Sequence, residues 1–383
     1  MDNLIYMDNA ATTRVAPEVK RKIDAFLTDH YGNPSSLYSL ADTARQEGLE
    51  YSRNSIAELL GVQPKEIIFT SGATESDNLA IKGVAFAQDE KSHFITSKIE
   101  HHAVLHSFQW LEKQGHDVTY LPVDQNGFVQ PEDLRKALRA DTKLVSIIYA
   151  NNEIGTVEPI GKLANITKEA GSLFHTDAVQ AFGKMTLDLK NVDLLSASGH
   201  KIYGPKGIGF LYRKQGIKLE PLIHGGGHEG GLRSGTENLP GIVGIARAAE
   251  LNYAEMTEES KRQSALRDKI INNVLKIPDT VLNGDSDRRL PNNTNFSFNY
   301  IEGESIVMKL NNFNIAASTG SACSSPSLEP SHVLLAIGLP VTLAHGSLRV
   351  TIGRETTEDD IDYFLDKLPG VIEDLRGASP FST

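Results

Sequence analysis

The chain of 383 residues holds one cysteine, Cys323. A lone thiol rules out an internal disulfide and any multi-thiolate metal site within one chain, so the protein reads as intracellular. No stretch of about 18 apolar residues occurs, and no helical membrane span is expected. The start, Met1-Asp2-Asn3-Leu4, lacks the basic region and apolar run of a secretory signal. An excess of positive charge is missing as well. The net charge is -11, whereas a nucleic-acid scaffold needs a basic face to displace counterions. The acidity is spread along the chain and serves solubility.

What remains is an ordinary globular composition, 40% hydrophobic and 23% charged. A chain of this length is expected to form more than one domain. Short β-rich runs alternate with amphipathic stretches through the middle. Strands are expected at Glu66–Thr70, His93–Thr96, Val118–Leu121, Leu144–Tyr149, Leu173–His175, Asp193–Ser196 and Gly209–Tyr212. Helices fill Glu75–Ala87, Ala103–Lys113 and Gly161–Ala170. This alternation predicts an α/β fold, with a mostly parallel sheet covered on both faces and a ligand beyond the strands' carboxyl ends. A long helical pattern from about Gly241 to Leu275 reads as a connector. Beyond it, strands at Asn295–Phe298 and Leu348–Thr351 and helices at Glu304–Leu310 and Glu358–Leu375 suggest a smaller α+β domain. The tail Gly377–Thr383 is expected to fray.

Five segments carry chemistry. In Ser198-Gly199-His200-Lys201, a lysine just past a strand points into the ligand crevice, where it can act as a nucleophilic amine. Alone, it more often fits a surface lysine in a Gly-Pro loop. In His175-Thr176-Asp177-Ala178-Val179-Gln180, Asp177 can pair with a pyridinium nitrogen or simply cap a turn. Thr70-Ser71-Gly72-Ala73-Thr74 opens a helix with bare backbone N–H groups, which suits a phosphate as well as a plain cap. In Lys98-Ile99-Glu100-His101-His102, His101 can lie over an aromatic cofactor and relay protons; this pair supplies too few ligands for a metal. Composition leaves Cys323 as a buried small hydrophobe or a reactive thiol. Its setting, Ala317-Ser318-Thr319-Gly320-Ser321-Ala322-Cys323-Ser324-Ser325-Pro326, favours a mobile exposed loop and a reactive thiol. Gly225-Gly226-Gly227-His228-Glu229-Gly230 fits a dinucleotide-binding pattern but opens no clear helix, and reads as a flexible loop.

Together these segments resemble the cysteine desulfurases of iron–sulfur cluster assembly and nitrogenase maturation. The resemblance runs nearly end to end. It includes Met7-Asp8-Asn9-Ala10-Ala11-Thr12-Thr13, Tyr31-Gly32-Asn33-Pro34-Ser35-Ser36, Asn151-Asn152-Glu153-Ile154-Gly155 and Arg233-Ser234-Gly235-Thr236-Glu237-Asn238. It implies the aspartate aminotransferase-like pyridoxal-phosphate fold (fold type I), whose large domain carries a mostly parallel seven-stranded sheet. The large domain is expected over 13–260, and the small one over 1–12 and 261–383. The resemblance further implies a cytoplasmic homodimer that uses pyridoxal 5'-phosphate held covalently by Lys201. Asp177 would pair with the ring nitrogen, Gln180 would bond the ring hydroxyl, and His101 would stack on the ring. Ala73, Thr74, Ser198 and His200 would hold the phosphate together with Thr236 of the partner subunit. Asn33, Asn152 and Arg349 would bind the substrate L-cysteine, the guanidinium fork suiting its carboxylate. Cys323 would take the sulfur as a persulfide, with His101 as acid–base helper, and pass it to an iron–sulfur scaffold protein or another acceptor. No stable metal site is implied, although Cys323 would touch a nascent cluster on the scaffold. The long run of small residues around Cys323 resembles the scaffold-delivering branch. Two other readings compete: another pyridoxal-phosphate activity, such as an aminotransferase or selenocysteine lyase, and a non-catalytic docking protein. Cys323 argues against the first, and Lys201 with Asp177 against the second.

Overall fold

The computed structural model describes residues 4–320 and 330–379; Cys323 lies outside the described residues. The chain opens with a two-residue strand, β1 (Ile5–Tyr6), and then enters the large sheet. That sheet contains β2 (Ile67–Thr70), β3 (His93–Ser97), β4 (Asp117–Leu121), β5 (Thr142–Ser146), β6 (Leu173–Asp177), β7 (Leu194–Ser198) and β8 (Gly209–Arg213). The spatial order is β2-β8-β7-β6-β5-β3-β4. Strand β8 runs antiparallel to both neighbours, and the other pairings are parallel. Every residue of β2, β3 and β7 is buried, as strands covered on both faces by helices must be.

Most boundaries shift by one or two residues from the expectation. Strand β5 ends at Ser146, so Ile147–Tyr149 lie beyond it. Strand β6 extends to Asp177, which is therefore the strand's last residue rather than a residue after it. The C-terminal helix runs from Glu358 to Ala378, past the expected start of fraying. Its Thr357–Asp360 capping box satisfies N–H groups at the helix start.

The helix Leu239–Val274 has 36 residues and joins two cores. Its first half buries Ile242, Ile245, Ala246 and Ala249 in the core of the large sheet. Its second half buries Leu266, Ile270, Ile271 and Val274 in another core, shared with Met7, Phe296, Leu348 and Phe364. That second core is built on a three-stranded antiparallel sheet of β9 (Thr280–Leu282), β10 (Asn293–Phe298) and β12 (Ser347–Thr351), in the order β12-β10-β9. Strand β11 (Ile315–Ala316) pairs parallel with β1, which returns the chain's start to its last third.

The glycine-rich segment, expected as a flexible loop, makes one short turn, His228–Gly231, and is anchored at Glu229. Strand β2 is an edge strand, and its outward backbone groups need partners. Glu229 supplies one. Its carboxylate accepts the Phe69 N–H at 2.8 Å and two Arg53 N–H groups at 2.8 and 2.6 Å. Arg53 also donates to the Ile67 carbonyl, and its guanidinium lies 4.9 Å from the centre of the Phe69 ring. The Glu229 side chain is only 3% exposed. Glu229→Ala should therefore leave a half-buried guanidinium without its carboxylate and an edge N–H without its acceptor, a loss of about 1–3 kcal/mol. The expected outcome is a clearly lowered melting temperature, measured by circular dichroism against Glu229→Gln, which keeps an acceptor; equal midpoints for Glu229→Ala and wild type would rule out this anchoring role.

Candidate functional site

The site assembles at the carboxyl ends of β6 and β7. After Ser198 the chain makes a single turn, Gly199–Lys201, and reverses at Tyr203. Tyr203 adopts a left-handed backbone at φ 65°, which is strained for a bulky residue. The turn is fixed on both sides. Gly204 N–H donates to the Gly199 carbonyl at 3.0 Å, and Tyr203 N–H to Thr13 Oγ1 at 2.7 Å. Lys201 Nζ then reaches the N-terminal arm, donating to the carbonyls of Ala10 at 2.6 Å and Ala11 at 2.7 Å. Gln180 Nε2 shares the Ala10 carbonyl at 2.9 Å. The arm is held in turn by Thr351 of β12: Asn9 Nδ2 donates to its carbonyl and Ala10 N–H to its hydroxyl, both at 2.9 Å.

Burial dominates the electrostatics here. The Asp177 carboxyl is pushed up to about 6 by burial; the Val179 N–H, which it accepts at 2.9 Å, and the Lys201 charge pull it the other way. His101 is driven down to about 4 by burial, then by Lys201 and by His102. His200 falls to about 4 for the same first two reasons. Burial and Lys201 bring Lys184 down to about 7, while its Nζ donates to the Gln180 carbonyl at 3.1 Å. Below Asp177, the buried His175 ring bridges the Ser146 hydroxyl at 2.8 Å and the Ser196 hydroxyl at 3.1 Å, and burial lowers it to about 3.

The helix Ala73–Phe86 has an open start. No side chain caps this helix. Gly72 sits at φ 154°, ψ 175°, a region open essentially to glycine, and a Cβ there would meet open space. A Cβ at Gly209, by contrast, would come within 2.8 Å of Gly72 Cα, so the close approach of β8 needs glycine. Ala73 and exposed Thr74 form the first turn. Ser198 is buried at the end of β7, and His200 Nδ1 lies 3.2 Å from Thr12 Oγ1. An open helix start, a buried carboxylate, an amine and an imidazole at one sheet end fit a phosphorylated aromatic aldehyde such as pyridoxal phosphate.

Arg349, on β12, is 3% exposed. Its guanidinium donates to Asp8 Oδ1 at 2.8 Å and to the Asn152 carbonyl at 3.0 Å, while its Nε has no partner. Lys201, Asp177, Gln180, His101 and His200 thus share one region, with Arg349 and Asn152 tied to it through the arm. Asn33 and Thr236 stand apart on exposed segments. Asn33 Oδ1 accepts the Ser35 N–H at 2.9 Å, and Thr236 lines a cavity with Thr70, Ser71 and Gly207. Sequence reasoning singled out neither Asp8 nor Lys184. Asp8 stood within the quoted N-terminal motif, and Lys184 follows Gln180 at a spacing of one helical turn.

The sequence matches the family described as Aminotransferase class-V over residues 5–364. A cysteine desulfurase IscS of Methanosarcina thermophila is 53% identical, over 99% of this chain and 94% of its own. A second, from Dictyoglomus turgidum, is 54% identical over 100% of this chain and 98% of its own. A solved NifS-like protein superposes with a TM-score of 0.92 at 40% identity, covering 97% of this chain and 100% of that one.

The buried histidines set a pH dependence of stability. His101, His175 and His200 are held neutral below the ordinary imidazole value of 6.5. The unfolded chain binds protons there that the folded chain refuses, so their contribution is complete above about 6.5 and is lost as pH falls. Asp177 opposes this, because its raised value makes the ionised form unfavourable, a penalty relieved as pH falls through about 6. Glu100 and Glu153, raised by burial to about 8 and about 7, oppose it in the same way. The test is therefore a difference between proteins: from about pH 7.5 to pH 5 the melting temperature of cofactor-free His175→Gln should fall less, or rise more, than that of wild type; an equal change in both would remove His175 from this account.

Proposed function

We infer, because the chain belongs to the class-V aminotransferase family and carries a lysine, an aspartate and an imidazole around one sheet end, that it is a pyridoxal-phosphate-dependent cysteine desulfurase. It converts L-cysteine to L-alanine and passes the sulfur to Cys323 for iron–sulfur cluster assembly. The observation that carries this reading is the placement of the Lys201 amine beyond β7, within the field of Asp177 and His101, in a chain 53% identical to a cysteine desulfurase over 99% of its length.

The residue roles proposed are those the family resemblance implies. Pyridoxal phosphate supplies an electron sink for the substrate's α-carbon. Lys201 holds the cofactor through Nζ, and its amine moves the proton at Cα. Asp177 keeps the ring nitrogen protonated, Gln180 bonds the ring hydroxyl, and His101 lies over the ring face. Ala73 and Thr74 at the bare helix start, with Ser198 and His200, take the phosphate. Arg349 and Asn152 receive the substrate carboxylate. His101 is neutral near pH 7 and can accept the thiol proton. The Cys323 thiolate attacks the substrate sulfur; the S–S bond forms, the Cβ–S bond breaks, and its electron pair is left to be protonated at Cβ. L-Cysteine plus the Cys323 thiol thus gives L-alanine plus the persulfide, with no outside oxidant.

A homodimer completes the site in this reading. Leu37, Tyr31 and Tyr38 are 99%, 69% and 55% exposed on the segment that carries Asn33. Apolar exposure of that extent suits a partner surface, and Thr236, exposed on its own loop, suits a contact with the partner subunit's phosphate site. The domain division proposed at residues 12/13 and 260/261 cuts within the connector helix, between the half buried in one core and the half buried in the other. A persulfide-forming thiol suits a cytoplasmic setting and an iron–sulfur scaffold acceptor.

Purified protein should release alanine and sulfide in step from L-cysteine under reducing conditions. Cys323→Ser should keep the cofactor's visible absorption and lose the persulfide, whereas Lys201→Ala should lose both covalent retention and turnover. A coloured wild type that makes neither product would move the substrate elsewhere.

A further inference from the structure

Gln180 sits in a turn that is tied at both ends. At its start, the Asp177 carboxylate accepts the Val179 N–H at 2.9 Å. Along it, the N–H groups of Ala181 and Phe182 donate to the Ala178 carbonyl at 2.9 and 2.8 Å. Near its end, Gly183 takes a left-handed backbone at φ 73°, which glycine reaches without strain. A Cβ there would stand 3.0 Å from Cγ2 of Ile202, the residue after Lys201. Lys184 follows and reaches back into the turn. Its Nζ donates to the Gln180 carbonyl at 3.1 Å and to Gln180 Oε1 at 3.3 Å.

The second of these bonds decides which way the Gln180 amide points. A carboxamide is nearly symmetric in shape, but one end accepts hydrogen bonds and the other donates them. An ammonium group only donates, so Lys184 selects the oxygen. The nitrogen is left to face the N-terminal arm, where Nε2 donates to the Ala10 carbonyl at 2.9 Å. That carbonyl also receives Lys201 Nζ at 2.6 Å. Lys184, Gln180, Ala10 and Lys201 thus form one chain of hydrogen bonds, and Gln180 is 4% exposed. The amide nitrogen carries two protons, and Ala10 takes one of them.

Nothing in the proposed chemistry uses Lys184. Burial and the Lys201 charge both work against its ammonium form, and its own charge is among those that lower His200. On its other side, Glu255, Glu259 and Arg354 line a small crevice with it. Placing a second amine near Lys201 is costly, and the bond to Gln180 Oε1 is what that placement achieves.

We propose that Lys184 is a positioning residue for the cofactor, fixing the Gln180 amide so that Gln180 offers the ring hydroxyl a donor and never an acceptor. This rests on the role given to Gln180 above. A donor beside that oxygen favours its ionised form, so the bound cofactor releases its proton at lower pH. With Lys184 removed, the amide is free to turn its oxygen to the ring, and the proton is held to higher pH.

The test follows the visible absorption of full-length holoenzyme as a function of pH, without substrate. Lys184→Met removes the donor and keeps the length of the side chain. Its absorption midpoint should rise above that of wild type by about half a unit or more. In a Gln180→Ala background the same substitution should move the midpoint little, because the group it positions is gone. Lys184→Leu carries the test if Lys184→Met does not fold. An unchanged or lowered midpoint in these variants would overturn the proposal. So would an equal shift in the Gln180→Ala background, which would mean that the Lys184 charge acts through space on Lys201 and His200. If Gln180→Ala alone leaves the midpoint at the wild-type value, the role given to Gln180 fails first and takes this inference with it. If wild type binds no pyridoxal phosphate, the functional reading fails before either.

Discussion

The interaction on which the site depends is the pair of hydrogen bonds from Lys201 Nζ to the carbonyls of Ala10 and Ala11. It brings a cationic amine to the end of the sheet and fixes the arm that closes over it. The neighbouring groups then respond to that charge. Burial depresses His101, His200 and Lys184 and the Lys201 charge adds to it; for Asp177, burial raises the carboxyl and the same charge opposes it. A lysine in an exposed loop would be screened and would add little to any of these.

Placing that charge takes three distant parts of the chain. The turn after β7 supplies the lysine, the N-terminal arm supplies the carbonyls, and β12 holds the arm through Thr351. Pairing of β1 with β11 commits the arm to the second core before it reaches the site. The connector helix Leu239–Val274 then sets how the two cores stand, because its halves are buried in different ones. The site is therefore a property of how the cores join, and neither core supplies it alone.

The parts that follow from local chemistry were legible in the sequence. Seven strands and the helices between them announce themselves as apolar runs and amphipathic periods, and Gly72-Ala73-Thr74 announces a bare helix start. Lys201, Asp177 and His101 stood out because each follows or ends a strand. Long-range partners were not legible. Nothing near Lys201 points to Ala10, and nothing near Arg349 points to Asp8, since those pairings are set by the return of the chain's start to its end. The glycine-rich turn misled for the same reason: its local composition suggests mobility, while Glu229 is held by Arg53 and an edge strand far away in sequence. Short elements such as β1, β9 and β11 carry too few residues to show a period.

The arm also ties the two polar ends of the site to each other. Asp8 bonds Arg349, and two residues later Ala10 receives Lys201. The Arg349 and Asp8 side chains are 4% and 19% exposed, so their ion pair is largely out of water, and breaking it without replacement costs about 3–5 kcal/mol. In the desulfurase reading, the guanidinium proposed to meet the substrate carboxylate is bonded to Asp8, which lies on the same arm as the carbonyls that hold the Lys201 amine, so a short stretch of backbone joins the two polar ends of the site.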